Sequence, residues 1–86
     1  MNEVWYLYIV RCGDDSLYSG VTLDVERRLS EHRAGKGSKY LRGRGPLRVV
    51  YTRTFASKGT ALSAEANLKK LSKQQKEQLI QGWISH

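Results

Sequence analysis

Tyr8 lies within an apolar run, Tyr18-Ser19-Gly20 follows ten residues on, Arg28 and His32 come at helical spacing, and Glu65 stands alone much later. None of these residues fits a core-packing pattern. Together they supply two phenols, a guanidinium, an imidazole and one carboxylate. A phenol or an imidazole can move a proton, and a guanidinium can clamp a phosphate with two parallel hydrogen bonds. One carboxylate, completed by substrate oxygens and waters, is a common way of holding Mg²⁺. These are the parts of a metal-assisted phosphodiesterase, and for a chain of net charge +7 the matching phosphodiester is a nucleic acid.

Each group also has a plainer use. Tyrosines in strands usually pack with their hydroxyls at the rim. Arg28 can pair with Asp24 one turn earlier, and Glu65 with Lys69 at the i,i+4 spacing. Arg28 and His32, four apart, face the same way and flank the apolar Val25–Leu29 stripe, whereas Arg27 points about 100° away. The phenol is the demanding component. An unperturbed tyrosine has a pKa of about 10, so roughly one in a thousand is ionised at pH 7. His32, with a reference pKa of about 6.5, is the rival base.

The elements that must position these groups are readable in outline. Residues 4–12 are aromatic and β-branched and predict a strand. Gly13-Asp14-Asp15 has turn chemistry, and residues 16–19 form a short return strand. Thr22 is the expected N-cap of a helix running from Leu23 to His32 or Arg33, with Asp24 in its first turn and Gly35 and Gly37 beyond its end. Residues 33–46 form a glycine-punctuated basic loop. Leu47–Phe55 predicts a third strand. A second helix over Thr60–Leu71 carries Ala61, Ala64, Leu68 and Leu71 on one stripe. Ser72 and Gln75 match a capping box, opening a third helix to about Gln81.

The basic loop holds Arg33, Lys36, Lys39, Arg42 and Arg44 without one acid. Phosphate contacts from Lys36, Lys39, Arg42 and Arg44 would tether a strand without reading its sequence, and Tyr40 among them can stack on an unpaired base. The wider charge distribution agrees. Residues 1–32 carry six acids and three bases, residues 33–86 two acids and twelve bases. Such asymmetry predicts a basic face that meets a polyanion.

With 86 residues, the expectation is one domain spanning 1–86, burying only about 60% of its unfolded surface. A chain 40% hydrophobic and 27% charged, with one proline, is an ordinary α+β composition. Cys12 is the only cysteine, which excludes an intrachain disulfide and a cysteine-based zinc cluster. Glu3 stands where a signal peptide carries lysines, and no apolar stretch approaches the length of a membrane span. The expected compartment is therefore the cytoplasm, with no membrane partner.

The ordered combination is more specific than its parts. Tyr8, then Tyr18-x-Gly20, then Arg28 and His32 eight and twelve residues past the glycine, then a helix-borne Glu65, resembles the GIY-YIG nuclease superfamily over roughly residues 4 to 80. The run Tyr18-Ser19-Gly20-Val21-Thr22-Leu23-Asp24-Val25-Glu26-Arg27-Arg28, followed by His32 and Gly35-Lys36-Gly37, is similar to the small bacterial proteins that consist of this module alone. The signature triplets here read Tyr6-Leu7-Tyr8 and Tyr18-Ser19-Gly20, changed only where the side chains pack. The resemblance implies a small three-stranded antiparallel sheet flanked by about three helices, with the active site on the sheet face beside the first helix. It implies Tyr8 as general base, Tyr18 and His32 as orienting groups, Arg28 on the pentacovalent charge, and Glu65 holding one Mg²⁺ or Mn²⁺. DNA is expected rather than RNA, in repair or recombination, with specificity for shape or charge, or supplied by a protein partner. The alternative is a nucleic-acid-binding module of this fold with little or no catalysis.

Overall fold

The computed structural model describes residues 3–85. Three strands, β1 (Trp5–Arg11), β2 (Leu17–Thr22) and β3 (Arg48–Phe55), and three helices, α1 (Val25–Arg33), α2 (Lys58–Lys69) and α3 (Lys73–Ile84), follow in the order β1-β2-α1-β3-α2-α3. The strands form one antiparallel sheet in the order β2-β1-β3, so the first strand is the central one. This is the α+β architecture expected from the sequence.

The pleat sorts β1 into two faces. Leu7 and Ile9 join Val50, Tyr51, Leu68 and Ile80 beneath α2 and α3. Tyr8, Val10 and Cys12 join Leu41 and Leu47 on the opposite face, covered by Val25 and Leu29 of α1. A bulge in the β1–β3 pairing between Ile9 and Val10 sets Tyr51 opposite Ile9 and Val49 opposite Val10. Cys12 is buried and unpaired, as a small filler should be. No described helix is long and apolar enough to cross a membrane.

Element boundaries moved where local chemistry overrode the periodic signal. β2 continues through Gly20 to Thr22, because Val21 and Thr22 pair with Leu7 and Tyr6. Thr22 is therefore a strand residue and not the N-cap of α1. Asp24 takes that role, its carboxylate accepting from the Arg27 amide, while the Thr22 hydroxyl accepts from the Asp24 amide at 3.2 Å. α2 starts two residues early because Ser57 caps it by accepting from Thr60, and it ends at Lys69 rather than Leu71. The Ser72–Gln75 capping box is present as expected, and α3 runs three residues past Gln81, through Gly82, to Ile84.

The segment between α1 and β3 is folded back on the sheet. Leu41 is only 2% exposed and fills the Tyr8 face of the core. The Arg33 guanidinium donates to the Leu47 carbonyl at 3.0 Å, and Arg42 Nε donates to the Gly35 carbonyl at 2.8 Å. Gly35, Gly37 and Gly43 all have positive φ. The far end of the loop docks on the β1–β2 turn, where the Gly13 amide donates to the Arg44 carbonyl. A Cβ on Gly13 would lie 2.3 Å from the Gly45 carbonyl oxygen, so that seat admits glycine alone.

A second set of charges fastens α3 to the hairpin. Arg11 bridges both carboxylate oxygens of Glu77 at 2.6 and 2.8 Å and also reaches Asp15, and Lys73 contacts Asp15. Arg11 holds the Glu77 carboxyl below its ordinary range. A depressed carboxyl stabilises the fold above its unfolded pKa of about 4.3 and ceases to do so as pH falls through the folded value. Bidentate geometry, offset by solvent screening at the partly exposed Glu77, is worth about 1 kcal/mol. Glu77→Gln should therefore lower the melting temperature at pH 7 by roughly 4–8 °C, and the gap should narrow as pH falls below the ordinary glutamate range. A gap of constant size across that range, followed by thermal denaturation, would rule out the ion pair as its source.

Candidate active site

The Tyr8 side chain determines the site's geometry. It is 3% exposed, and its backbone is paired with Gly20 on the adjacent strand. A Cβ on Gly20 would stand 2.4 Å from the Tyr8 hydroxyl and 2.7 Å from Cζ. The ring thus passes over Gly20 towards the β2 edge of the sheet. The group that the missing side chain of Gly20 admits is the tyrosine itself.

The Tyr8 hydroxyl lies 3.0 Å from His32 Nε2, a buried hydrogen bond between the central strand and α1. Burial pushes the phenol above its ordinary pKa, and the Arg28 guanidinium beside it opposes that shift. Burial also pushes His32 down, reinforced by the charge of Arg28, against a weaker pull from the nearby Lys36 backbone. At neutral pH the free site therefore holds a protonated phenol and a neutral imidazole. His32 Nδ1 is buried, and the Lys36 backbone is the acceptor beside that side of the ring.

Arg28 is held from two sides. Its guanidinium pairs with Glu31 at 3.2 Å and packs on Gly37, where a Cβ would come within 3.0 Å of Nη1. Its partner is Glu31 and not Asp24, which is occupied at the cap of α1. Glu31 and Tyr8 both favour the charged guanidinium. Sequence reasoning missed Glu31 and Gly37. The first was signalled by its i,i+3 spacing, whereas Gly37, in the loop, had no local signal for contact with a helix.

Glu65 comes from α2, which packs on the other face of the sheet, yet its charge raises the Tyr8 pKa slightly and so reaches the same hydroxyl. Its side chain is 17% exposed, with Lys69 3.9 Å away, the i,i+4 pairing anticipated from sequence. That long contact leaves the carboxylate free to accept a further partner. Among the described residues no three His, Cys, Asp or Glu side chains cluster to form a metal cage. The donor set therefore suits a hard cation shared with substrate oxygens and waters, and not a closed protein site.

Tyr18 sits opposite Val10 on the Tyr8 face. Its ring meets His32 edge-on with centroids 5.6 Å apart and stacks on Tyr40 at 5.9 Å. The Arg44 guanidinium lies 4.2 Å from the Tyr40 ring centre and is paired with Asp14 of the β1–β2 turn. Tyr40 and Arg44 are thus engaged within the protein: they continue the line His32–Tyr18–Tyr40–Arg44–Asp14. Lys36 and Lys39 are exposed and make no ion pair among the described residues, and Arg42 is exposed beyond its bond to Gly35. The structure therefore brings Tyr8, Tyr18, Arg28 and His32 together, carries Glu65 on the helix that packs against the other face, and leaves three cations of the loop open to solvent.

The strand-borne tyrosines, the glycine beneath one of them and the helix-borne arginine define a class. Residues 4–78 match the GIY-YIG catalytic domain, and the chain belongs to that nuclease family. It is 50% identical over 83 residues to a UPF0213 protein of Cronobacter sakazakii, covering 96% of this chain and 87% of that one. It is also 47% identical over 76 residues to the UPF0213 protein YhbQ of Escherichia coli K12, 88% of this chain and 76% of the relative. Two solution structures are similar. The UPF0213 protein BH0048 of Bacillus halodurans superposes with a TM-score of 0.59 at 50% identity, covering 91% of this chain and 83% of that one. Protein EF2693 of E. faecalis does so with a TM-score of 0.66 at 38% identity, covering 100% and 94%.

The close seat of Tyr8 on Gly20 can be tested directly. Gly20→Ala should cost about 1–3 kcal/mol by overpacking and drive the Tyr8 hydroxyl away from His32. Thermal melting and the ¹⁵N shifts of the His32 imidazole report the two effects separately. A variant that melts like wild type with unchanged imidazole signals would contradict this packing.

Proposed function

We propose that this protein is a nuclease that hydrolyses phosphodiester bonds in DNA with the help of one divalent cation, and that it serves in DNA repair or recombination. The observation that carries this reading is the buried Tyr8–His32 hydrogen bond with Arg28 beside it. A core-packing tyrosine needs neither a neutral imidazole acceptor nor an adjacent guanidinium.

In the mechanism the scissile phosphate docks against Arg28, whose charge is preserved by Glu31 and Tyr8. A phosphate there adds negative charge, so His32 gains basicity just where the Tyr8 proton must go. Tyr8 passes its proton to His32 Nε2 across the 3.0 Å bond and then accepts a proton from water as the water oxygen attacks phosphorus. Arg28 stabilises the charge that builds on the non-bridging oxygens, the leaving oxygen departs on the opposite side and takes a proton from solvent, and His32 returns its proton to solvent. Tyr18, edge-on to His32, holds the imidazole in line with the phenol. Glu65 is the residue that would hold Mg²⁺ or Mn²⁺. The bound cation would supply charge stabilisation at phosphate and leaving-group oxygens.

Lys36, Lys39 and Arg42 form the tether. They contact backbone phosphates, so selectivity rests on nucleic-acid shape and charge or on a protein partner. Arg44, neutralised by Asp14, holds the loop instead. The binding-module reading has its own support in Glu65 being a lone carboxylate.

Cleavage assays on single-stranded, duplex and branched DNA, with Mg²⁺, Mn²⁺ or EDTA, separate these readings. Wild type should cut only with metal, Glu65→Ala should not cut, and Arg28→Ala should lose about 10³-fold or more in rate. Equal cutting by wild type and variants would remove Arg28 and Glu65 from the mechanism. Salt-sensitive binding with no cutting of any substrate would favour the binding module. With three open cations, log K should fall with log salt at a slope of about −2 to −3. A slope near zero in fluorescence anisotropy titrations would eliminate the tether.

A further inference from the structure

Beside His32, the loop between α1 and β3 lines a half-open pocket of about 440 Å³. It lies between His32 and Arg33 at the end of α1, Leu41 and Arg42 in the loop, and Pro46 and Leu47 at its return. The remaining wall is glycine backbone, from Gly35, Gly43 and Gly45. Its size is within the range of small-molecule sites. No carboxylate contributes to the lining.

Two features of this cavity point to one kind of occupant. First, both of its cations are fixed by backbone carbonyls, Arg33 on Leu47 and Arg42 on Gly35, and each uses one N–H in doing so. A guanidinium has five N–H donors, so both retain donors for an anion. Second, Leu41 and Leu47 are core residues, 2% and 5% exposed, whose other contacts are to the Tyr8 face of the sheet. They hold the apolar side of the cavity rigid, and a flat ring can lie against it. The occupant needs an anionic group and a planar apolar face.

We propose that this cavity is a binding subsite for one nucleotide unit, a base with its phosphate, turned out of the stacked strand next to the scissile bond. The phosphate lies between Arg33 and Arg42, and the base lies on Leu41 and Leu47. The proposal builds on the reading of the loop as a nucleic-acid surface, and it adds a place where a single nucleotide is seated rather than merely tethered. His32 is common to both sites: it bonds Tyr8 on one side and contributes to the lining of this cavity.

The test is binding, not cleavage. Wild-type protein is titrated with deoxynucleoside 5′-monophosphates, with the matching nucleosides and with inorganic phosphate, followed by ¹H–¹⁵N correlation spectra and imidazole ¹⁵N shifts. The expected result is saturable binding of the monophosphate, with shifts centred on Gly35, Gly43, Leu47 and the His32 ring. Nucleoside and phosphate should each bind at least tenfold more weakly. Arg42→Gln, a change at an exposed residue, should weaken the monophosphate at least tenfold, with Arg42→Lys restoring part of the loss. Shifts centred instead on Arg28 and Glu65, equal binding by phosphate alone, or no saturable binding would each overturn the subsite. Failure here leaves a cleaving enzyme intact, and failure to cleave leaves a nucleotide-binding pocket intact, so the two conclusions fall separately.

Discussion

The arrangement depends on one buried contact, the Tyr8 hydroxyl against His32 Nε2. It exists only because Gly20 leaves room for the ring, and it joins the central strand to the one helix on that face. Burial drives both groups towards their neutral forms, which is the state in which a phenol and an imidazole can share a proton without leaving a charge in the core. Arg28 stands at the boundary of this pair and keeps its own charge through Glu31. The buried pair is therefore neutral, and the charges around it are carried by the Arg28–Glu31 pair at its edge.

Much of this was legible in the chain, and the reasons differ by residue. Tyr8, Tyr18, Arg28 and Glu65 stood out because their types are costly where periodicity placed them. The Val25–Leu29 stripe and the Ser72–Gln75 box follow short-range rules and survived folding intact. Thr22 misled because it is both a good cap and a good strand residue, and pairing with Tyr6 decided between them. The role of Gly20 was hidden because its neighbour across the sheet is twelve residues away. Leu41 carries no signal in the sequence, since one leucine among cations has no period. Its burial depends on the loop folding back on β1, which only the tertiary structure specifies.

The basic loop shows how charge counting overstates a binding surface. Five cations look equivalent in the sequence. In the fold, Arg33 holds the Leu47 carbonyl, Arg42 holds the Gly35 carbonyl, and Arg44 is matched by Asp14 and laid on Tyr40, so three of the five shape the loop. The aromatic line from His32 through Tyr18 to Tyr40 runs from this scaffold to the buried Tyr8–His32 pair. A loop rich in glycine is thereby given a defined wall, and Tyr18 serves as a structural link between the loop and the helix.

The position of β1 in the middle of the sheet has a consequence for how the molecule is made. β1 and β2 are joined by a tight turn and can pair within microseconds, but the other edge of β1 is satisfied only by β3, whose partner residues lie some forty positions later. During synthesis the central strand must wait, half paired, until residue 55 has cleared the ribosome, a delay of seconds at ordinary elongation rates. Over that interval the Leu7–Ile9 face has no helix above it, since α2 and α3 are the last segments translated. The nascent hairpin is thus the stage at which this chain is most exposed to pairing with the wrong strand.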